Sequence, residues 1–246
     1  MKVIQLNIWL GHLLNPALAF IDRENPDILC AQEVYSSEIS SGLFDTYQTH
    51  ERLSERFPYQ FFASTFSQQV LGENVEYGNA IYSKYPIFDE KVDFTHNQYT
   101  SNQTIKTFVR NIRSIQQCKI TLPGGNTVTL ANHHGFRDPN SDGTDESVAS
   151  MLKAVASLQK ADAPLIFCGD LNVNQTSKTV HELDTLQLRN LSAEFKLNTT
   201  LSSAHRLTHN LACDYIFVSP SIKVDNFYAS DSVVSDHKAL ILDFEI

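Results

Sequence analysis

Five apolar runs in this 246-residue chain each stop at acids, amides or histidines, and that repetition constrains the fold more than any other feature. Ile4-Gln5-Leu6 ends in Asn7, and Ile28-Leu29-Cys30-Ala31 ends in Gln32-Glu33. Val128-Thr129-Leu130 leads to Asn132-His133-His134, and Leu165-Ile166-Phe167 leads to Gly169-Asp170-Leu171-Asn172. Ser235-Asp236-His237 stands just before Ala239-Leu240-Ile241. Short apolar runs bounded by polar residues read as buried strands. Taken singly, a carboxylate after a strand is more often a cap or turn residue. Five such ends in one chain read instead as a site assembled along one sheet edge.

The remaining pattern supplies many strands with helices between them. Asn15-Pro16 reads as an N-cap followed by proline at the first helical position, with Leu14, Leu18 and Ile21 on one stripe. Ser36 to Arg56 carries Ile39, Leu43, Tyr47 and Leu53 at helical spacing up to Pro58. Tyr59 to Phe66, Asn79 to Ser83 and Ile87 to Phe94 read as strands. Lys106 to Leu122 and Thr127 to Asn132 form a hairpin around Pro123-Gly124-Gly125-Asn126. A helix is expected from Thr144 to Gln159, with Val148, Met151, Leu152, Val155 and Leu158 on one face. Cys213 to Val218, Val224 to Tyr228 and Ala239 to Phe244 complete the β structure. Asp138 to Asp145 is the best candidate for a mobile loop. With no repeat or linker, residues 1–246 read as one domain of two packed sheets flanked by helices.

Charge and cysteine usage narrow the function. The net charge of −9 opposes non-specific binding to polyanions. Yet no acid stands between Phe94 and Arg137, where Lys106, Arg110, Arg113, Lys119 and Arg137 all fall. Such a segment is either a solvated strand face or a receiver for phosphate. Arg110 and Asn111 are the preferred pair for substrate contact, because Arg110 and Arg113, three apart on a strand, point to opposite faces. Cys30, Cys118, Cys168 and Cys213 sit in apolar runs without a Cys-x-x-Cys motif, which fits buried free thiols with no disulfide partner. Neither a secretory signal nor a membrane span is evident, and a cytoplasmic location is expected. His205 and His209 read as surface-loop residues, as does the acidic stretch around Asp231.

Seven stretches, taken in order, resemble the endonuclease/exonuclease/phosphatase superfamily. They are Leu6-Asn7-Ile8-Trp9, Ala31-Gln32-Glu33-Val34, Gly78-Asn79-Ala80-Ile81-Tyr82-Ser83-Lys84-Tyr85-Pro86-Ile87, Asn132-His133-His134, Gly169-Asp170-Leu171-Asn172, Asp214-Tyr215-Ile216-Phe217 and Ser235-Asp236-His237. The resemblance implies an α/β fold, a four-layer α/β/β/α sandwich of two packed, mostly antiparallel sheets flanked by helices. It implies a Mg²⁺- or Mn²⁺-dependent phosphoester hydrolase, most of all a phosphodiesterase. Carried over by position, Glu33 is the principal metal ligand, with Asn7 and Asp236. Asp170 positions or deprotonates the attacking water, and Asn172 touches the phosphate. His237 contacts phosphoryl oxygens, Asp214 orients His237, His134 rather than His133 is the family histidine, and Asn79 lies near the phosphate. Trp9 stands where some nuclease members carry an acid. A further metal contact is not expected there.

The partner implied is a phosphoester substrate, and single-stranded or damaged nucleic acid is one class it leaves open. A reading from another class is a catalytically silent binding scaffold. Retention of Glu33, Asp170, Asn172 and His237 argues against it.

Overall fold

In the computed structural model, residues 1–38, 45–101, 111–161, 164–206 and 210–246 are described. Two six-stranded sheets pack face to face. The first contains β1 (Lys2–Asn7), β2 (Ile28–Ser37), β3 (Tyr59–Val70), β4 (Glu73–Ser83), β11 (Lys223–Ala229) and β12 (Leu240–Glu245), in the spatial order β11-β12-β1-β2-β4-β3. The second contains β5 (Ile87–His96), β6 (Arg113–Thr121), β7 (Thr127–His134), β8 (Leu165–Asp170), β9 (Arg189–Asn190) and β10 (Asp214–Val218), in the order β5-β6-β7-β8-β10-β9. Each sheet holds one parallel pair, β1–β2 and β7–β8, among antiparallel neighbours.

Alternation along the strands explains the layers, since successive side chains point to opposite faces. Val3, Ile28, Cys30, Ile81, Leu130, Ile166, Cys168, Ile216 and Leu240 meet between the sheets. Ile4, Leu6, Leu29, Ala80 and Ile241 face outward against α1 (Leu14–Glu24) and Leu53 of α2 (Thr49–Ser54). Phe167, Tyr215 and Phe217 face the other way, against Met151, Ala154, Val155 and Leu158 of α3 (Asp145–Leu158). The result is the expected four-layer sandwich. All four cysteines are buried free thiols, three of them between the sheets. No helix among the described residues is long and apolar enough to cross a membrane.

Several local expectations are corrected. Helix α1 begins at Leu14 with Leu13 at the cap position and no side-chain cap, so Asn15 does not cap it. Pro16 lies within the first turn, where backbone N–H groups have no intrahelical acceptor to lose. Ser36 and Ser37 extend β2 through pairing with Glu76 and Val75 rather than starting a helix. Only a 3-10 turn at Asp45–Gln48 and α2 follow, while Ile39 and Leu43 lie outside the described residues. On α3, Leu152 is exposed, and Ser147, Ser150 and Ala154 complete the buried face instead. The acidic stretch after Arg137 is a built turn. Asp138 is buried, and its carboxylate accepts from the backbone N–H groups of Asn140, Gly143 and Thr144 at 2.7–3.0 Å.

Candidate active site

The two parallel pairs end at the same edge of the sandwich. Asn7 pairs with Gln32 across β1 and β2, and His134 pairs with Asp170 across β7 and β8. Asn7 Nδ2 spans the gap between the sheets and donates to Asp170 Oδ2 at 3.0 Å. Two close contacts set this edge. A Cβ on Gly169 would meet the carbonyl oxygen of His133 at 2.0 Å, so only glycine lets β8 lie there. Ser235 Oγ donates to the Asn7 carbonyl at 2.6 Å, which ties the Ser-Asp-His loop to the end of β1.

Backbone irregularities aim the key side chains. Strict alternation would send Glu33 to the helical side of the first sheet. The β2–β4 register shifts between Ala31 and Val34, and Glu33 sits there in the left-handed region at φ 58°. Such a bulge re-aims a side chain. It lets both Gln32 and Glu33 serve the interior edge. Asn172, also at φ 58°, turns the chain after β8 while its N–H donates to Asp170 Oδ1 at 2.9 Å. Plain alternation separates the two adjacent histidines. His134 shares the inner face with Asn132. His133 lies on the outer face beside Phe167, with Nδ1 on the Ser114 carbonyl at 3.0 Å.

Glu33, Asp170, Asn172, Asp236, His134 and His237 all line one cleft of about 1120 Å³. His237 Nε2 lies 3.7 Å and His134 Nε2 3.8 Å from the same oxygen, Asp170 Oδ2. His134 Nε2 is also 3.8 Å from Glu33 Oε1. Asp214 lies fully buried beneath, with Oδ2 at 2.8 Å from His237 Nδ1. Thr200 Oγ1 donates to that Oδ2 at 2.6 Å, and Gln5 Nε2 donates to Oδ1 at 2.9 Å. Gln5 in turn meets Gln32, whose Nε2 donates to Asn132 Oδ1 at 2.7 Å. A buried run of amides thus carries Asp214's support across both sheets.

Burial and neighbours give the ionisable groups distinct states. Burial, with repulsion from Asp236 and Asp170, raises the Glu33 carboxyl to about 7 against the pull of His237. Burial likewise raises Asp170 to about 6, again opposed by His237. Burial disfavours charge on His237, but Asp214 and Asp170 outweigh it and hold the imidazole well above its ordinary range. His134 goes the other way. Burial and the Arg113 guanidinium hold it well below that range. Arg113 Nη1 lies 3.2 Å from His134 Nδ1, and a guanidinium can only donate. His134 is therefore neutral, with its proton on Nε2 facing Asp170.

The remaining expected residues fall around this centre. Asn79 is buried behind His134, beside Tyr77, Arg113 and Ser114, and is not among the cleft-lining residues. Asn111 lies at the rim, where Oδ1 accepts from Arg113 Nη2 at 3.1 Å and from the Arg137 N–H at 2.9 Å. It holds two arginine segments rather than standing alone. Arg110 and His209 lie outside the described residues. His205, expected on a surface loop, is instead a cleft residue, with Nε2 3.9 Å from Asp236 Oδ2 and its ring edge-on to His237. Asp231 is exposed, as a solvated loop residue should be. Sequence reasoning missed Gln5 and Arg113. Gln5 shares a strand face with Val3 and Asn7, so an amide at a core position was the available signal.

The donor set fits a hard divalent cation. The Glu33 and Asp236 carboxylates face the cleft, and neither forms an ion pair with a lysine or arginine among the described residues. Oxygen donors of this kind suit Mg²⁺ or Mn²⁺. The tighter grouping of Asp170, Cys213, Asp214 and His237 is not such a cage. Asp214 and Asp170 favour the charged form of His237 within it, and burial favours the protonated Cys213 thiol.

The site is thus an acid- and histidine-lined edge of a paired-sheet α/β sandwich. The match to the endonuclease/exonuclease/phosphatase family model runs over residues 4–237, and the chain belongs to that family. No curated protein sequence matches it significantly. Solved structures share the fold at low identity. An endonuclease/exonuclease/phosphatase from Beutenbergia cavernae aligns with TM-score 0.75 and 17% identity over 100% of this chain and 71% of its own. The mannosyl-6-phosphatase Bt3783 of Bacteroides thetaiotaomicron gives 0.69 and 16% over all of both chains. The human Nocturnin catalytic domain with bound sulfate gives 0.69 and 19% over 100% and 94%.

Proposed function

We propose that this chain is a Mg²⁺- or Mn²⁺-dependent phosphoester hydrolase, with phosphodiesters as the favoured substrate class. The observation that carries the reading is the convergence of Glu33, Asp170, Asn172 and His237 on one cleft from three distant parts of the sequence. Glu33, with Asn7 and Asp236, would hold the cation, which when bound neutralises charge on the non-bridging oxygens.

The chain's own residues supply the rest. Asp170 receives the proton of the attacking water. Its raised affinity for a proton makes it a better base at neutral pH than an exposed carboxylate. Asn7 and the Asn172 N–H fix both of its oxygens, so the base does not swing. His237 stays charged and donates from Nε2 to a phosphoryl oxygen, its orientation held by Asp214. His134 adds a neutral Nε2–H donor that Arg113 keeps in one tautomer. Preorganised donors of this kind each contribute about 3 kcal/mol to a transition state. Arg113, Arg137 and Arg206 line the same cleft and give an otherwise acidic protein a local attraction for phosphate. That supports a short or small phosphoester more than a long duplex, against which the net charge of −9 works.

The test is hydrolysis of bis-p-nitrophenyl phosphate and p-nitrophenyl phosphate with and without Mg²⁺ or Mn²⁺. The proposal expects cation-dependent turnover that EDTA removes. Full activity in EDTA contradicts it.

A further inference from the structure

Trp9 occupies a costly position that packing does not explain. Trp9, Leu10 and Gly11 follow β1 with φ of 50°, 55° and 74°, three consecutive residues in the left-handed region. Side chains other than glycine adopt that region at a cost, and such strain clusters at ligand sites. The loop is nonetheless held firmly. The Trp9 N–H donates to Asn7 Oδ1 at 2.9 Å, and a Cβ on Gly11 would meet Thr49 Oγ1 at 2.5 Å. Leu10 packs against the buried cluster of Tyr35, Phe66 and Tyr77. Trp9 joins none of the apolar clusters. It stays half-buried, with one neighbour in ring contact among the described residues, His12 at 4.7 Å, and it lines the cleft that holds Glu33 and Asp170.

We infer that Trp9 is a stacking platform for the base of a nucleotide-sized phosphoester. The inference rests on the phosphoester reading for the location of the phosphate, and adds the chemistry of the group beyond it. An indole offers a flat π-face, and a planar base is its best match in size and polarisability. Asn7 links the two halves of such a ligand. Its Oδ1 fixes the Trp9 backbone while its Nδ2 fixes Asp170, so the platform and the hydrolytic carboxylate hold a set spacing. The cleft, about 1120 Å³, has room for base, sugar and phosphate together rather than for a phosphate alone. Arg137 and Arg206, exposed along the same cleft, provide cations for the phosphoryl end.

The chain has a single tryptophan, so its intrinsic fluorescence reports on this ring alone. The experiment titrates wild-type protein in Mg²⁺ with AMP, GMP, CMP and UMP, with ribose 5-phosphate and with inorganic phosphate, and reads emission within the mixing time of a stopped-flow instrument. At least one nucleotide should quench the emission saturably, while ribose 5-phosphate and phosphate should not. By calorimetry, Trp9→Leu should weaken that nucleotide about tenfold or more and leave ribose 5-phosphate within about twofold, with Trp9→Phe in between. Retained ribose 5-phosphate binding and an unchanged melting temperature show that Trp9→Leu is folded. If it unfolds, the quenching series alone decides. Quenching by none of the four nucleotides, equal quenching by ribose 5-phosphate, or unchanged nucleotide affinity in a folded Trp9→Leu overturns the inference. Hydrolysis of bis-p-nitrophenyl phosphate by the same preparations separates the two readings. Turnover without quenching removes only the platform, and quenching without turnover removes only the hydrolase.

Discussion

His134 and His237 bring their Nε2 atoms to 3.8 and 3.7 Å from one oxygen, Asp170 Oδ2, while their Nδ1 atoms face opposite charges. Asp214 takes Nδ1 of His237 and favours the imidazolium. Arg113 takes Nδ1 of His134 and favours the neutral ring. One carboxylate is thus flanked by a cationic donor and a neutral donor, a division of labour set by partners beneath the site.

Asp214→Asn should keep the fold and lose most of the activity. The amide cannot hold His237 charged, so kcat should fall about 10²- to 10⁴-fold with KM little changed. Steady-state kinetics beside a circular dichroism spectrum check this. An unchanged kcat would remove the Asp214–His237 pair from the chemistry.

Arg113→Lys should lower kcat by about tenfold or more without loss of fold. A lysine ammonium lacks the fork that reaches both His134 and Asn111. Long-range ¹H–¹⁵N spectra of the imidazoles should show His134 as a single Nε2–H tautomer in the wild type and a mixture in the variant. A mixture already present in the wild type contradicts the role.

Gly169→Ala should destabilise the protein by about 2 kcal/mol or more, because its Cβ collides with the fixed His133 carbonyl between paired strands. Chemical denaturation measures it, and a cost below about 0.5 kcal/mol would mean that β7 and β8 lie further apart than described.

Much of this arrangement is legible in the sequence, and its limits are physical. The strand ends at Asn7, Asp170 and His134 announce themselves because an apolar run stopping at a polar residue marks both a strand and its edge. The choice of His134 over His133 comes from the family resemblance, and the alternation of β7 in the structure gives its physical reason. Glu33 is different. Its aim depends on a bulge, which depends on the β2–β4 register, and no local pattern encodes that. The three-residue spacing of Arg110 and Arg113 favours only one of them for the groove, and nothing local marks Arg113 as the one that meets His134; Arg110 lies outside the described residues. His205 looked like surface because its loop is polar, and only the long-range approach to Asp236 brings it into the cleft. The helical reading of Ser36 to Arg56 fails where pairing with β4 overrides local spacing, and the Asn15 cap lies two residues inside a helix whose cap position is Leu13.

The acid side of the stability profile should bear the mark of His50. Burial holds it at about 4, against about 6.5 in the unfolded chain, with Nδ1 on the Tyr82 hydroxyl at 3.0 Å. Between those values the unfolded state binds the proton and the folded state does not, so this group's contribution falls as pH drops from 6.5 towards 4. His50→Leu should lower the melting temperature at pH 7, since it strips the buried Tyr82 hydroxyl of a hydrogen-bond partner. It should also lose less on going from pH 7 to pH 5 than the wild type does. An identical drop in both proteins contradicts the assignment.

In the proposed mechanism Glu33 and Asp170 act at one cation-dependent centre. The most direct measurement is the initial rate on bis-p-nitrophenyl phosphate for wild type, Glu33→Gln and Asp170→Asn across a Mg²⁺ and Mn²⁺ titration, with EDTA as the blank and melting temperatures recorded in parallel. The wild type should show saturable cation-dependent turnover, and each folded variant should lose at least about 10³-fold. A cation-induced rise in melting temperature should also appear in the wild type and disappear in Glu33→Gln. Wild-type rates in either variant, or turnover undiminished by EDTA, would contradict that mechanism.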